Sequence, residues 1–195
     1  YTQYCQTERT SPKITLPMSF QQNPMMKHSK TKIKPLNLNE LLLDLSSNAV
    51  KPDVMGLCET RLSIELNQIY GIPSYLMYSN PRSTRGGGVV IYVKRIHQSV
   101  LLSECTMMSP SIEIVSVRMT IGNRKYVVSC VYRPPSGSVP DFLEELERCL
   151  SYIKTQFVRD EVIFQGDFNL NLLSSESDDR VVQYISLMFS HSLYP

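Results

Sequence analysis

At 195 residues the chain is long enough for one hydrophobic core, and its length favours a single domain. Its composition, 42% hydrophobic and 19% charged, excludes a disordered chain. A net charge of +2 and a sequence pI near 8.3 give a weak overall field, so any nucleic-acid contact must come from a local patch.

The chain begins at Tyr1 with no signal-peptide pattern, which reads as a fragment or a trimmed product. Residues 1–12 are polar and read as a flexible arm, with one folded domain over 13–195. Ile14, Leu16, Met18 and Phe20 alternate, a strand signal. Asn23 to Pro35 carries Lys27, Lys30, Lys32 and Lys34 and reads as a basic loop. Asn37-Leu38-Asn39-Glu40 resembles a helix cap, and Leu38, Leu41, Leu42 and Leu45 follow at helical spacing to about Asn48.

Asp53 to Glu59 is a short apolar run of buried-strand type that ends in an acid. Tyr75 to Ser79 predicts a strand, and Arg85-Gly86-Gly87-Gly88 is a glycine turn leading into the strand Val89 to Val93. Ser99 to Glu104, Ile112 to Met119 and Tyr126 to Tyr132 read as further strands, the last two joined in a hairpin at Gly122-Asn123. Ser138 caps a helix with Phe142, Leu146, Leu150, Ile153 and Phe157 on its buried face. A final helix over about 178–189 is expected to turn Val181, Val182, Ile185 and Phe189 inward. Helices separated by blocks of strands predict layered α and β.

The five cysteines are scattered, with no Cys-x-x-Cys pair. This predicts reduced, buried thiols in an intracellular rather than secreted protein and argues against zinc. No apolar run reaches the roughly 18 residues of a membrane span.

Three predicted strand ends offer polar groups of complementary kind. Glu59 closes the first, and Tyr132-Arg133-Pro134-Pro135 closes the second. Val162-Ile163-Phe164-Gln165-Gly166-Asp167-Phe168-Asn169 closes the third with an acid and an amide, which share one face of an extended backbone. The simpler reading of the last segment is a turn in which Asp167 bonds only to nearby backbone. Taken together, these ends suit a phosphodiester. Mg²⁺ takes oxygen ligands and commonly only one or two carboxylates; Arg133 and the Tyr132 hydroxyl can bind phosphate, and Asp167 can orient or deprotonate a water.

Gly56-Leu57-Cys58-Glu59-Thr60-Arg61-Leu62 resembles the segment ending in the metal-binding Glu of the endonuclease/exonuclease/phosphatase superfamily. The glycine turn with the Val89 strand, Val131-Tyr132-Arg133-Pro134-Pro135-Ser136 and Gly166-Asp167-Phe168-Asn169 are similar to further signatures in the same order. The nearest likeness is to the apurinic-type endonuclease domain of non-LTR (LINE-like) retrotransposons.

That resemblance implies a four-layer α/β sandwich, two packed mixed sheets flanked by helices. It also implies a DNA nick that depends on Mg²⁺ (with Mn²⁺ as its substitute) and leaves a 3′-hydroxyl that primes reverse transcription. Carried across, Glu59 and Asn23 bind the metal, Tyr132 contacts the scissile phosphate, Asp167 positions or activates water, and Asn169 supports the oxyanion. Arg133 and Arg85 are the substrate-binding cations, and the partners are double-stranded DNA and a reverse-transcriptase domain of the parent polypeptide, in the nucleus or elsewhere inside the cell.

The family closes with another strand and a Ser-Asp-His signature, whereas this sequence stops at Pro195 and places His28, His97 and His191 in no such context. The expectation is a C-terminally truncated domain lacking the last strands, with weak or no nuclease activity. Two other readings are a non-catalytic DNA-binding or structural remnant of the fold, and a phosphoesterase of the same superfamily acting on lipid or inositol phosphates.

Overall fold

The computed structural model describes residues 3–5, 51–60, 71–81, 87–172 and 178–194. The expected Ile14 strand, the basic loop and the Leu38 helix lie outside them.

Two sheets pack face to face. The larger runs β1 (Gln3–Cys5), β9 (Glu161–Asp167), β8 (Arg124–Tyr132), β7 (Glu113–Ile121) and β5 (Gln98–Leu101), with β6 (Met107–Met108) also on β7. The smaller holds β2 (Val54–Cys58), β4 (Val89–Lys94) and β3 (Tyr75–Asn80), with β4 central. All pairings are antiparallel except β8 with β9. A parallel pair needs a crossover, and helix α1 (Val139–Gln156) provides it.

Side-chain alternation sorts the large sheet into two faces. Val115, Val117, Met119, Val128, Cys130 and Ile163 meet Val54, Val89, Ile91 and Val93 of the small sheet. Their alternates Ile114, Val127, Val131, Val162 and Phe164 pack under α1 and α2 (Asp179–Ser190). A third cluster, including Met55, Tyr75, Val90 and Tyr92, occupies the outer face of the small sheet. The architecture is therefore an α/β sandwich, as expected. Among the described residues no helix is long and apolar enough to cross a membrane.

The Gly122-Asn123 turn joins β7 and β8 as expected, with Ile121 opposite Arg124. Ser138 caps α1 by accepting the Asp141 amide at 3.4 Å. Three details differ from the sequence expectation. Gln3–Cys5, inside the stretch read as an arm, pairs with the edge of β9, Gln3 opposite Gly166; an open edge offers unpaired backbone groups to such a segment. The strand expected over Ser99 to Glu104 ends at Leu101, because Leu102 is buried and its carbonyl accepts the Thr106 hydroxyl at 2.8 Å, closing a 3-10 turn over Ser103–Cys105. In α2 the inward residues are Val181, Tyr184 and Met188, with Ile185 beside them, while Val182 and Phe189 are exposed. The Tyr184 ring sits 5.2 Å from Phe168, and that contact fixes the rotation of the helix.

Candidate active site

The ladder registers align the strand ends. Tyr132, the last residue of β8, is the partner of Asp167 on β9 and of Glu113 on β7, so the three residues form one row across the large sheet. β2 ends at Cys58 on the facing sheet, and Glu59 follows with φ 54, a left-handed conformation disfavoured for a residue with a Cβ. That turn directs the Glu59 carboxylate to the Tyr132 hydroxyl, which donates to Oε1 at 2.5 Å. Residues 73 positions apart thus meet across the two sheets.

Gly166 explains how β9 comes close enough to β8. Its φ is 146, and a Cβ there would lie 1.8 Å from the Val131 carbonyl oxygen. Asp167, half-buried, follows directly. Its Oδ1 accepts the Asn169 amide at 3.0 Å, so the simple turn seen in the sequence is formed as well. Asn169 has φ 48, is exposed, and donates its side-chain amide to the Arg133 carbonyl at 2.8 Å.

Arg133, read from sequence as a cation for substrate, is 5% exposed, and its guanidinium donates to the carbonyls of Phe168 (2.7 Å), Asn169 (2.6 Å), Gly137 (3.0 Å) and Pro134 (3.3 Å). It ties the loop after β9, which carries Asn169, to the loop after β8. Asn23 and Arg85 lie outside the described residues.

Burial, then the Glu59 hydrogen bond, then the charges of Glu59, Asp167 and Glu113 push the Tyr132 phenol well above its ordinary pKa. The hydroxyl is therefore a proton donor across any assay pH. Glu113 was missed in the sequence reading. It is fully buried, and its Oε2 accepts the Gly88 amide at 2.5 Å. The available signal was a charged residue set inside the apolar run Ile112 to Val115.

The donor set near Tyr132 is all oxygen: two carboxylates, a phenol and an amide. Among the described residues no group of three or more His, Cys, Asp and Glu side chains is placed to hold a metal ion. Mg²⁺ in general keeps several waters and takes only one or two carboxylates.

The two described histidines lie elsewhere. His97 Nε2 is 2.9 Å from Asp53 Oδ1, which Lys94 also reaches at 3.0 Å. Asp53 precedes β2 and Glu59 follows it, which separates them by about 20 Å at 3.3 Å per residue. His191 meets Glu147 at 2.9 Å between the helices. Burial alone would raise the Asp53 carboxyl pKa, but the hydrogen bonds from His97 and Lys94 outweigh it and hold it below the usual range. A depressed carboxyl stabilises the fold above its unfolded pKa of roughly 3.9, and that stability is lost as pH falls through the folded value. Asp53→Asn is expected to lower Tm at pH 7, with the gap closing below about pH 4; melts at the two pH values check this.

Among the described residues Cys58, Cys105, Cys130 and Cys149 are free thiols. Cys58 and Cys130 approach to 3.7 Å between the sheets, and that hydrogen bond together with burial raises the Cys130 pKa.

No protein-family profile matches the sequence, and no curated protein matches it at a significant level. Solved structures do match. The endonuclease domain of TRAS1, a telomere-specific non-LTR retrotransposon, superposes with a TM-score of 0.62 at 15% identity, covering 81% of this chain and 67% of that one. D. rerio TDP2 complexed with a single-strand DNA product gives 0.52 at 20% identity, over 74% of this chain. An AP endonuclease from Archaeoglobus fulgidus gives 0.53 at 17% identity, covering 78% of this chain and 65% of that one. The chain spans 56% of the length of that TDP2. With these proteins it shares one fold, a two-sheet α/β sandwich.

Proposed function

We infer that this chain is a Mg²⁺-dependent DNA endonuclease domain of a retrotransposon-derived protein, hydrolysing a phosphodiester to leave a 3′-hydroxyl. The observation that carries the reading is the meeting of Glu59, Tyr132 and Asp167 at one edge of the sandwich, from three strands distant in sequence. The fold supports it, since two of the similar structures are endonucleases by name and a third was solved with DNA.

Glu59 would hold the cation, which when bound supplies positive charge against the phosphate and its developing oxyanion. The chain's own groups do the rest. Tyr132 donates a hydrogen bond to Glu59 in the free protein; donating instead to a phosphate oxygen anchors the substrate and releases the carboxylate. Asp167 accepts a proton from, or orients, the attacking water. Asn169 is held on the same loop by Asp167 and Arg133, where an amide donor can support the oxyanion.

Supercoiled plasmid incubated with the protein in Mg²⁺ is expected to be nicked at a weak rate, with ends that a polymerase extends, and chelation is expected to stop the reaction. Salt-sensitive DNA binding with no nick in either Mg²⁺ or Mn²⁺ would replace this reading with a non-catalytic DNA-binding one. Faster release of phosphate from a phosphoinositide than nicking of plasmid would move the substrate to lipid phosphates.

A further inference from the structure

The glycine turn ahead of β4 and the buried Glu113 have no part in the chemistry just described, yet they meet at the candidate site. Glu113 opens β7 with its side chain fully buried and turned toward the small sheet. A buried carboxylate is unfavourable unless hydrogen-bonded, and here Oε2 accepts the Gly88 amide at 2.5 Å. The Gly88 carbonyl accepts the Thr60 amide at 3.1 Å. Thr60 follows Glu59, the residue with φ 54, and Glu59 accepts a hydrogen bond from the Tyr132 hydroxyl. Tyr132 is the ladder partner of Glu113, so the path from Glu113 through Gly88, Thr60, Glu59 and Tyr132 returns to its start. Gly87 completes the arrangement. A Cβ on it would stand 2.3 Å from Glu113 Oε1, and its φ is 74, so only glycine lets the carboxylate dock against this turn.

A left-handed glutamate persists only where its surroundings over-determine it. The ring of contacts does so from both sides, through the backbone at Thr60 and through the side chain at Tyr132. We propose that Glu113 is a positioning residue for Glu59: acting through Gly88 and Thr60, it holds the turn that aims the Glu59 carboxylate into the site. The proposal rests on the reading of Glu59 as the cation-holding group. It assigns Gly87 and Gly88 a defined task, that of receiving a carboxylate from the opposite sheet.

The test uses Glu113→Ala, Glu113→Gln and Gly87→Ala beside wild type and Glu59→Ala. Three properties are measured: affinity for Mn²⁺ alone by electron paramagnetic resonance, amide exchange at Gly88 and Thr60, and Tm. Loss of a group that orients a metal ligand typically weakens metal affinity about 10–100-fold, and that loss is expected for Glu113→Ala and Gly87→Ala, with faster exchange at Thr60. Glu113→Gln keeps an acceptor oxygen and is expected to recover most of the affinity. If Glu113→Ala matches wild type in both Mn²⁺ affinity and Thr60 exchange, the proposal is overturned. It is equally overturned if affinity falls only in proportion to a lowered Tm, with Thr60 exchange no faster than the rest of the sheet. Should Glu113→Ala fail to fold, Glu113→Gln and Gly87→Ala decide it on the same readouts. Equal Mn²⁺ affinity in wild type and Glu59→Ala sinks the cation reading instead; exchange at Thr60 then judges the Glu113 contact by itself.

Discussion

Arg133→Ala is expected to cost about 3–5 kcal/mol of stability and to abolish phosphodiester cleavage along with it. The side chain is 5% exposed and its guanidinium serves four backbone carbonyls, drawn from the loop after β8 and the loop after β9. Alanine removes that donor, although the Pro134 carbonyl keeps the Gly137 amide at 2.9 Å, and an unpaired buried polar group costs about 1–3 kcal/mol. At about 2–4 °C per kcal/mol for a chain of this size, the melting point falls roughly 10 °C. Arg133→Lys is expected to recover only part of the loss, because an ammonium is a compact point charge and cannot spread over a fork of acceptors. Calorimetry decides the matter, and an alanine variant melting within a degree of wild type would remove Arg133 from this role. The effect on cleavage follows from position, since Phe168 and Asn169 flank the chain just beyond Asp167 and a loop shift of about 1 Å can cost 10²-fold in rate.

Glu59→Gln and Tyr132→Phe are each expected to slow cleavage about 10²–10³-fold, or roughly 3–4 kcal/mol in barrier height. The double variant is expected to be scarcely slower than the worse single one. The reason is the 2.5 Å bond between the two side chains: removing either partner leaves the other misplaced, and groups that act as a unit are not additive. Phenylalanine keeps the ring in the core between the two sheets, so the Tm of Tyr132→Phe should stay close to wild type while the rate falls. Single-turnover nicking across the four proteins measures the coupling. Fully additive losses would mean that Glu59 and Tyr132 serve separate steps, and the site described above would have to be redrawn.

Local order decided what could be read in advance. Alternation and turn residues placed β3, β4, β7 and β8 to within about two residues, because a strand with one face in a core must alternate and a two-residue hairpin demands glycine or asparagine. The cap at Ser138 and the apolar repeat from Phe142 to Ile153 set α1 for the same reason. Glu59, Tyr132 and Asp167 were legible as polar ends of apolar runs, the places where a buried strand must give way to solvent.

The sequence alone determined which of the described segments become strands and helices and which polar side chains stand at their ends, since both depend on spacing of a few residues. Only the tertiary structure decided what those side chains face. It turned Arg133 inward, rotated α2 so that Tyr184 rather than Val182 meets the core, and set Glu113 against a glycine turn on the other sheet. Each of these outcomes depends on a partner distant in the chain, on how closely two sheets approach and on where unpaired carbonyls happen to lie. Spacing along a sequence carries no information about such contacts until the chain has folded back on itself.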